Sequence, residues 1–163
     1  MALTALHEER KTMTITDEST STASRARVVE LVSGYLWQFD RPDAELDDAW
    51  YGSVFTDDVT LRFPVATHRG LMGIAALHDQ IRAMWSGTLH TCSDPQTWPG
   101  EDGAVHFRVK VVAVHVHRDG TGETFHVGSV YEGTARGATV DGMSIESMTI
   151  APVWTMGRPP ERG

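Results

Sequence analysis

The sequence predicts an α+β fold, in which three N-terminal helices pack on one face of a curved antiparallel or mixed sheet that forms a cone-shaped barrel. Three observations support this prediction. Apolar residues recur at three- and four-residue spacing in the first half of the chain, as amphipathic helices require. After Gly87 they alternate with polar residues, which is typical of half-buried strands. The 163 residues, 40% of them apolar, suffice for one domain with a substantial core.

The first helix is predicted from about Ser24 to Phe39. Ser24 is a suitable N-cap, because its hydroxyl can accept a hydrogen bond from a free backbone N–H of the first turn. Pro42 ends the helix, since the residue before a proline avoids the helical region. The residues expected on its buried face are Val28, Leu31, Val32, Tyr35, Leu36 and Phe39.

Two further helices and one strand are predicted before Gly87, a good helix stop. Asp43 can cap a short second helix. The first strand is expected from Asp58 to Phe63, where apolar and polar residues alternate, and the third helix from Gly70 to Trp85. The apolar residues of the second helix are Leu46, Trp50 and Val54.

The remainder of the chain is predicted to form four antiparallel strands in a row. Turns are expected at Arg118-Asp119-Gly120 and around Asp141-Gly142, because glycine accepts the backbone conformations that tight turns need. The four predicted strands are Leu89 to Trp98, Ala104 to His117, Thr124 to Arg136 and Gly142 to Thr155.

One domain is expected over residues 23–157. The polar residues 1–22, rich in Thr, Ser and Glu, are predicted to form a disordered N-terminal tail, and residues 158–163 a short C-terminal tail.

Composition excludes several classes of partner. The net charge is −8 with only two lysines, which argues against nucleic acid and anionic membrane surfaces. The single cysteine, Cys92, excludes an intrachain disulfide and a cysteine metal cluster. The sequence contains no signal-peptide core, membrane span or Gly-rich phosphate loop, so a cytoplasmic location is expected.

Four segments of the chain resemble the SnoaL-like branch of the nuclear transport factor 2-like superfamily. This resemblance implies a cystatin-like α+β barrel around a dry pocket. The superfamily includes polyketide cyclases, dehydratases, isomerases and plain binding modules, so its fold alone does not determine activity. The segments are WYGSVFTDDVTLRFP (Trp50 to Pro64), RGLMGIAALHDQI (Arg69 to Ile81), TLHTCSDPQTW (Thr88 to Trp98) and VYEGTARGATVDGMSIESMTIAPVWTMG (Val130 to Gly157).

The catalytic pattern resembles that of scytalone dehydratases. That family has an acid after the first helix, a histidine early in the second strand and another in the fourth, which here match Asp40, His90 and His126. The resemblance implies that His126 is a general base oriented by Asp40, with His90 assisting as acid or through water, and that no metal or cofactor takes part. This sequence differs from that family in having Phe39 and Phe63 about where tyrosines stand.

The other histidines are interpreted as surface residues. His115 and His117 share one face of a strand and could bind a metal, but a solvated or dimer-facing position near the strand end is favoured. His106, Arg108 and Lys110 lie on the face opposite the apolar residues of the same strand, which is most simply an outer or dimer-facing surface.

Substrate-binding candidates are aromatic residues near the expected pocket walls: Tyr35, Trp50, Phe63 and Trp98. Cys92 shares a face with His90, and a buried, unreactive thiol is favoured there over a nucleophile.

Two functions remain open. The first is a cofactor-independent dehydratase, cyclase or isomerase for a small apolar oxygenated ring compound, such as a polyketide or another secondary metabolite. The second is a binding or dimerisation module without chemistry. In either case a homodimer is expected, because a sheet with helices on only one face leaves its other face to be covered. His106, Arg108 and Tyr131 are the candidate dimer-face residues.

Overall fold

The computed structural model describes residues 15–64 and 66–160, which form three α-helices and seven strands. The α+β class and the order of the long elements agree with the sequence prediction. The helices are α1 (Ile15–Asp40), α2 (Asp48–Gly52) and α3 (Ile74–Ala83). The strands are β1 (Phe55–Arg62), β2 (Thr67–Arg69), β3 (Trp85–Cys92), β4 (Gln96–Pro99), β5 (Val105–His117), β6 (Thr124–Arg136) and β7 (Ser144–Gly157), with a 3₁₀ turn at Glu101–Gly103.

The helix starts differ from those predicted. Helix α1 already begins at Ile15, and Ser24 is a buried residue inside it rather than its N-cap. The predicted tail therefore contributes residues 15–22 to the helix, while residues 1–14 lie outside the described part of the chain. Helix α2 is capped by Asp47, whose carboxylate accepts the Trp50 N–H at 2.8 Å, and not by Asp43.

The sheet is mixed and unclosed, with the strand order β2-β1-β7-β6-β5-β3. Strands β1 and β7 are parallel, and every other pair is antiparallel. The predicted strand from Leu89 to Trp98 is two strands, because the chain leaves the sheet before Pro95. Strand β3 pairs with the C-terminal half of β5, and β4 with its N-terminal end.

The two faces of β5 have different roles. Its odd-numbered residues from Phe107 through Ala113 are buried against α1, whereas Arg108, Lys110 and Val112 are exposed. The α1 residues in this core include Val28, Val32 and Leu36. Each such fully buried side chain contributes about 1.5–3 kcal/mol, so this layer fixes α1 across the sheet and sets which strand residues face inward.

Gly133 of β6 permits a close approach within this core. A Cβ atom at this position would lie 2.7 Å from Cζ of Phe107 and would also collide with the backbone carbonyl oxygen of Ser147 on β7. Only glycine therefore fits there without a shift of the neighbouring strand. Among the described residues, no helix is long and apolar enough to cross a membrane.

Candidate functional site

A small pocket lies between α1, α3 and the inner face of the sheet. Its volume is about 150 Å³. Most of its wall is apolar, formed by residues that include Leu36, Phe39, Phe63, Ile81, Ala113 and Ile150. Polar side chains enter from three neighbouring strands and two helices, namely His90, His115, Ser129, Tyr131, Tyr35 and His78.

Asp40 and His90 form the most tightly connected pair at this pocket. Asp40 is the last residue of α1, and His90 lies on the inner face of β3. The Asp40 carboxylate accepts three hydrogen bonds: from Nδ1 of His90 at 2.6 Å, from the His90 backbone N–H at 2.5 Å and from the Thr88 hydroxyl at 2.7 Å. Both side chains are largely buried, with 13% of Asp40 and 7% of His90 exposed.

The Asp40 carboxylate is held in its ionised form. Burial raises the pKa of this carboxyl, but the hydrogen bonds and the charge of His90, together with the Thr88 hydroxyl, lower it further, so the net pKa lies below its ordinary value. An ionised carboxylate requires a proton on Nδ1 of His90. In the neutral ring, Nε2 is then the unprotonated, basic nitrogen, and it has no partner among the described residues.

His115 places a second imidazole at the same pocket. Its Nδ1 lies 3.2 Å from the Phe125 carbonyl oxygen and must donate to it, which again leaves Nε2 unprotonated. Burial lowers the pKa of His115, partly opposed by this hydrogen bond, so the ring is neutral at neutral pH. Its centroid lies 5.8 Å from that of His90, at 89° between the rings, and Trp85 covers it at 4.7 Å.

Tyr35 and His78 form a second pair of polar side chains, and its proton arrangement is fixed. His78 Nδ1 donates to the Ile74 carbonyl oxygen at 2.8 Å, so its Nε2 accepts from the Tyr35 hydroxyl at 2.7 Å. Burial lowers the pKa of His78 to about 4, which keeps the ring neutral. The rings of Phe39, Tyr51 and Phe63 pack around it.

The predicted pairing of Asp40 with His126 is wrong. His126 pairs with Val114 in the sheet, on the outer face, and its Nε2 lies 2.8 Å from the hydroxyl of Thr124. Asp40 and His90 contact each other on the inner face, as the preceding distances show. The residue that joins them from β5 is His115, which the sequence analysis assigned to the surface.

Two of the four predicted substrate-binding residues line the pocket, Tyr35 and Phe63. Trp50 instead lies beside α1 in a different, open cleft and packs edge-on against Tyr51 at 4.9 Å. Trp98 is 44% exposed and stacks on His106 at the sheet surface, because the break before Pro95 changes the phase of β4.

Other predicted positions also change. Tyr131 lies on the inner face and lines the pocket, so it is not a dimer-face residue. His117 is buried, with its Nε2 2.8 Å from the Arg158 carbonyl oxygen. Cys92 is exposed rather than buried, and desolvation and the nearby Asp94 raise the pKa of its thiol, which disfavours a nucleophilic thiolate.

A metal centre is not supported by the side-chain arrangement. The described residues contain no group of three His, Cys, Asp or Glu side chains placed to hold a metal ion. The site therefore consists of three imidazoles and three hydroxyl groups around an apolar volume, with the Asp40 carboxylate bound to His90.

Solved structures of low sequence identity share this fold. Hexachlorocyclohexane dehydrochlorinase LinA-type3 from Novosphingobium barchaimii LL02 aligns with a TM-score of 0.73 and 17% identity over 86% of this chain and 94% of its own. A candidate scytalone dehydratase from Novosphingobium aromaticivorans aligns with a TM-score of 0.73 and 15% identity over 88% and 93%. A nuclear transport factor 2-like superfamily protein from Salmonella enterica serovar Typhimurium aligns with 0.68 and 16% over 88% and 96%.

The sequence comparisons agree with the fold. No curated protein matches this chain. The model of one protein family, described as a SnoaL-like domain, matches residues 20–147, a span that holds the whole Asp40, His90 and His115 constellation. The chain therefore belongs to the SnoaL-like domain family.

Proposed function

We propose that this protein is a cofactor-independent acid–base enzyme that removes a proton from carbon in a small apolar oxygenated ring compound. The observation that carries the proposal is the orientation of His90. Its Nδ1 is bound to Asp40, so its basic Nε2 is the ring nitrogen left for a molecule in the pocket. A base held in this way resembles the oriented histidine of a catalytic triad, with the carboxylate fixing the tautomer.

The chemistry needs no group beyond the side chains present. His90 Nε2 takes the proton from carbon, and Asp40 stabilises the imidazolium that forms. The same imidazolium then returns the proton, either to a departing group in an elimination or to another carbon in an isomerisation. Positioned proton transfer of this kind contributes about 10²–10⁴-fold in rate.

His115 has a supporting role in this scheme. Its neutral Nε2 accepts a hydrogen bond from a substrate hydroxyl or a water molecule and orients it beside His90. A cation at His115 would repel the imidazolium that forms at His90, so its lowered pKa favours the reaction.

Two structural relatives, by their names, support elimination over isomerisation as the proposed reaction. A dehydrochlorinase and a dehydratase both form double bonds by loss of a small molecule. At 15–17% identity these relatives support the fold, and the reaction of this chain rests on its own Asp40–His90 pair.

The proposal can be tested before a natural substrate is known. Cyclohexanone dissolved in D₂O with the protein should exchange its α-hydrogens for deuterium faster than in buffer, as followed by mass spectrometry. His90→Gln should reduce the protein-dependent rate by about 10²-fold or more. Exchange that persists at the wild-type rate in His90→Gln would disprove this assignment, and binding without any exchange would favour a carrier without chemistry.

A further inference from the structure

The volume of the pocket limits the size of its ligand. A cavity of about 150 Å³ is the size that holds one benzene molecule in a well-studied engineered cavity. A fused polycyclic compound would need the apolar walls to move apart, and packed protein interiors resist such movement. The pocket therefore fits one six-membered ring, at the small end of the ligand class inferred from sequence.

The polar groups of the pocket exclude a charged ligand. Among the described residues, no Asp, Glu, Lys or Arg side chain lines it. His115 is neutral, and Asp40, which does not line the pocket, is already paired with His90. A ligand carboxylate, phosphate or ammonium group would be buried without an opposite charge, which costs several kcal/mol.

Two hydroxyl groups remain without a protein partner. Ser129 and Tyr131 are two residues apart on β6, so both side chains point inward, and each residue is 6% exposed. Within the described part of the chain, neither hydroxyl makes a hydrogen bond. Each hydroxyl can therefore donate a hydrogen bond to a ligand or a water molecule in the pocket.

Tyr35 and Tyr131 differ in what they can offer. The Tyr35 proton is already donated to His78. Desolvation, with the charges of Asp40 and Cys92, raises the pKa of Tyr131, so its phenol keeps its proton. Tyr131 is thus the pocket phenol with a proton free to donate.

We propose that the pocket binds an uncharged compound with a single six-membered ring, and that an oxygen of this compound accepts a hydrogen bond from Tyr131. Ser129 lies beside it as a second donor. The reactive part of this inference rests on the proposed function: when His90 takes a proton from the carbon next to a carbonyl, the C–H electron pair passes to the carbonyl oxygen. Tyr131 would stabilise the resulting enolate.

Ligand binding tests this inference without any turnover. The probes are cyclohexanone, cyclohexane, cyclohexanecarboxylate and 2-decalone, titrated by NMR on the ring signals of His90 and His115. We expect saturable shifts with cyclohexanone and none with the carboxylate or the bicyclic ketone. Cyclohexanecarboxylate that shifts both ring signals saturably, with the affinity of cyclohexanone, would overturn the limit on ligand charge. The same result with 2-decalone would overturn the limit on ligand size.

A variant series isolates the hydroxyl. Tyr131→Phe should weaken cyclohexanone binding about tenfold and leave cyclohexane binding within about twofold, because only the ketone loses a hydrogen bond. Tyr51→Phe is the matched control, since the Tyr51 hydroxyl is also unpaired but does not line the pocket. Equal affinity of cyclohexanone for wild type and Tyr131→Phe would refute the role of Tyr131.

The two proposals fail separately. Cyclohexanone that binds with the expected Tyr131 dependence but undergoes no deuterium exchange would refute the proposed function alone. Exchange that depends on His90 but not on Tyr131 would refute this inference alone.

Discussion

Both oxygens of the Asp40 carboxylate are bound by one residue, His90. Oδ1 accepts the ring Nδ1–H at 2.6 Å, and Oδ2 accepts the backbone N–H at 2.5 Å. This two-point contact fixes the ring relative to its own strand as well as to the end of α1. Rotation of the imidazole away from the pocket would break one charge-assisted hydrogen bond while the backbone bond still holds the carboxylate in place.

Asp40→Asn should abolish most of the proton-transfer activity. The substitution keeps the shape but removes the charge that stabilises the imidazolium. Its single amide oxygen can accept only one of the two His90 N–H groups, and its NH₂ group faces the other. By analogy with triad aspartates the loss should be about 10²–10⁴-fold. The cyclohexanone exchange rate measures it, with Asp57→Asn as a control because Asp57 is exposed on β1. Equal rates in Asp40→Asn and wild type would mean that the contact is only structural.

Of two histidines on neighbouring strands, only one should affect the exchange rate when it is replaced by glutamine. His115→Gln removes an imidazole from the pocket and should reduce the exchange rate at least tenfold. His126→Gln changes the outer face and should leave the rate within about twofold of wild type. The exchange rates of both variants are measured under one set of conditions. A larger loss of rate in His126→Gln than in His115→Gln would contradict the placement of the two histidines on opposite faces of the sheet.

His78 should make the protein less stable in mild acid. Its pKa is about 4 in the folded protein and 6.5 ordinarily, so the unfolded chain takes up a proton first as pH falls. The free energy of unfolding is therefore unaffected by the titration of His78 above pH 6.5. It decreases as pH falls from 6.5 to 4, by roughly 3 kcal/mol at most. Urea unfolding at pH 7 and pH 5 should show a smaller pH dependence in His78→Gln than in wild type. A pH dependence of equal size in the two proteins would exclude His78 as its source.

Two glycine-to-alanine substitutions should change the stability of the fold in opposite directions. Gly133→Ala forces a methyl group against the Phe107 ring and the β7 backbone and should destabilise the fold by about 1–3 kcal/mol or more. Gly34→Ala adds a methyl group to open space on α1 and should stabilise it by about 0.5–1 kcal/mol. Thermal melting of both variants checks this prediction. A higher melting temperature for Gly133→Ala than for Gly34→Ala would contradict it.

The outer sheet face should form a homodimer. It exposes apolar side chains in adjacent rows: Leu89, Val112, Trp154 and Met156. His106 and Arg108 lie at one end of the same face, while Tyr131 does not belong to it. Light scattering at tens of micromolar, an order at which standard interfaces hold, should give a dimer that Val112→Lys converts to a monomer. Trp37→Lys is the control on α1, and a wild-type monomer would rule out this interface.

The sequence is sufficient for the long strands β5 and β6, but not for the start of α1, the short strands or the contacts between elements. Strand β6 was predicted with its observed bounds, and β5 within one residue. The apolar alternation from Phe107 to Val111 continues through Ala113 to His115, so the inward position of this histidine was available from the pattern. The phase of His115 in the strand, and not its closeness to the turn, decides which way it faces.

The Asp40–His90 contact could not be derived in the same way. It depends on how far α1 extends across the sheet and on the bulge between Trp85 and Gly87, which sets the phase of His90. The irregular β3–β4 break likewise decides where Trp98 points. Such features arise from packing between distant segments, which local periodicity does not record.

Because residues alternate between the two faces of β5, the site depends on the number of residues in this strand and not only on their types. One residue inserted between Ala113 and His115 would leave every side chain present, yet it would turn His115 outward and bring an outer residue into the pocket. A second insertion nearby would restore the original facing. Relatives of this protein that keep all the same residue types but differ by a single position in this strand should therefore have lost its chemistry.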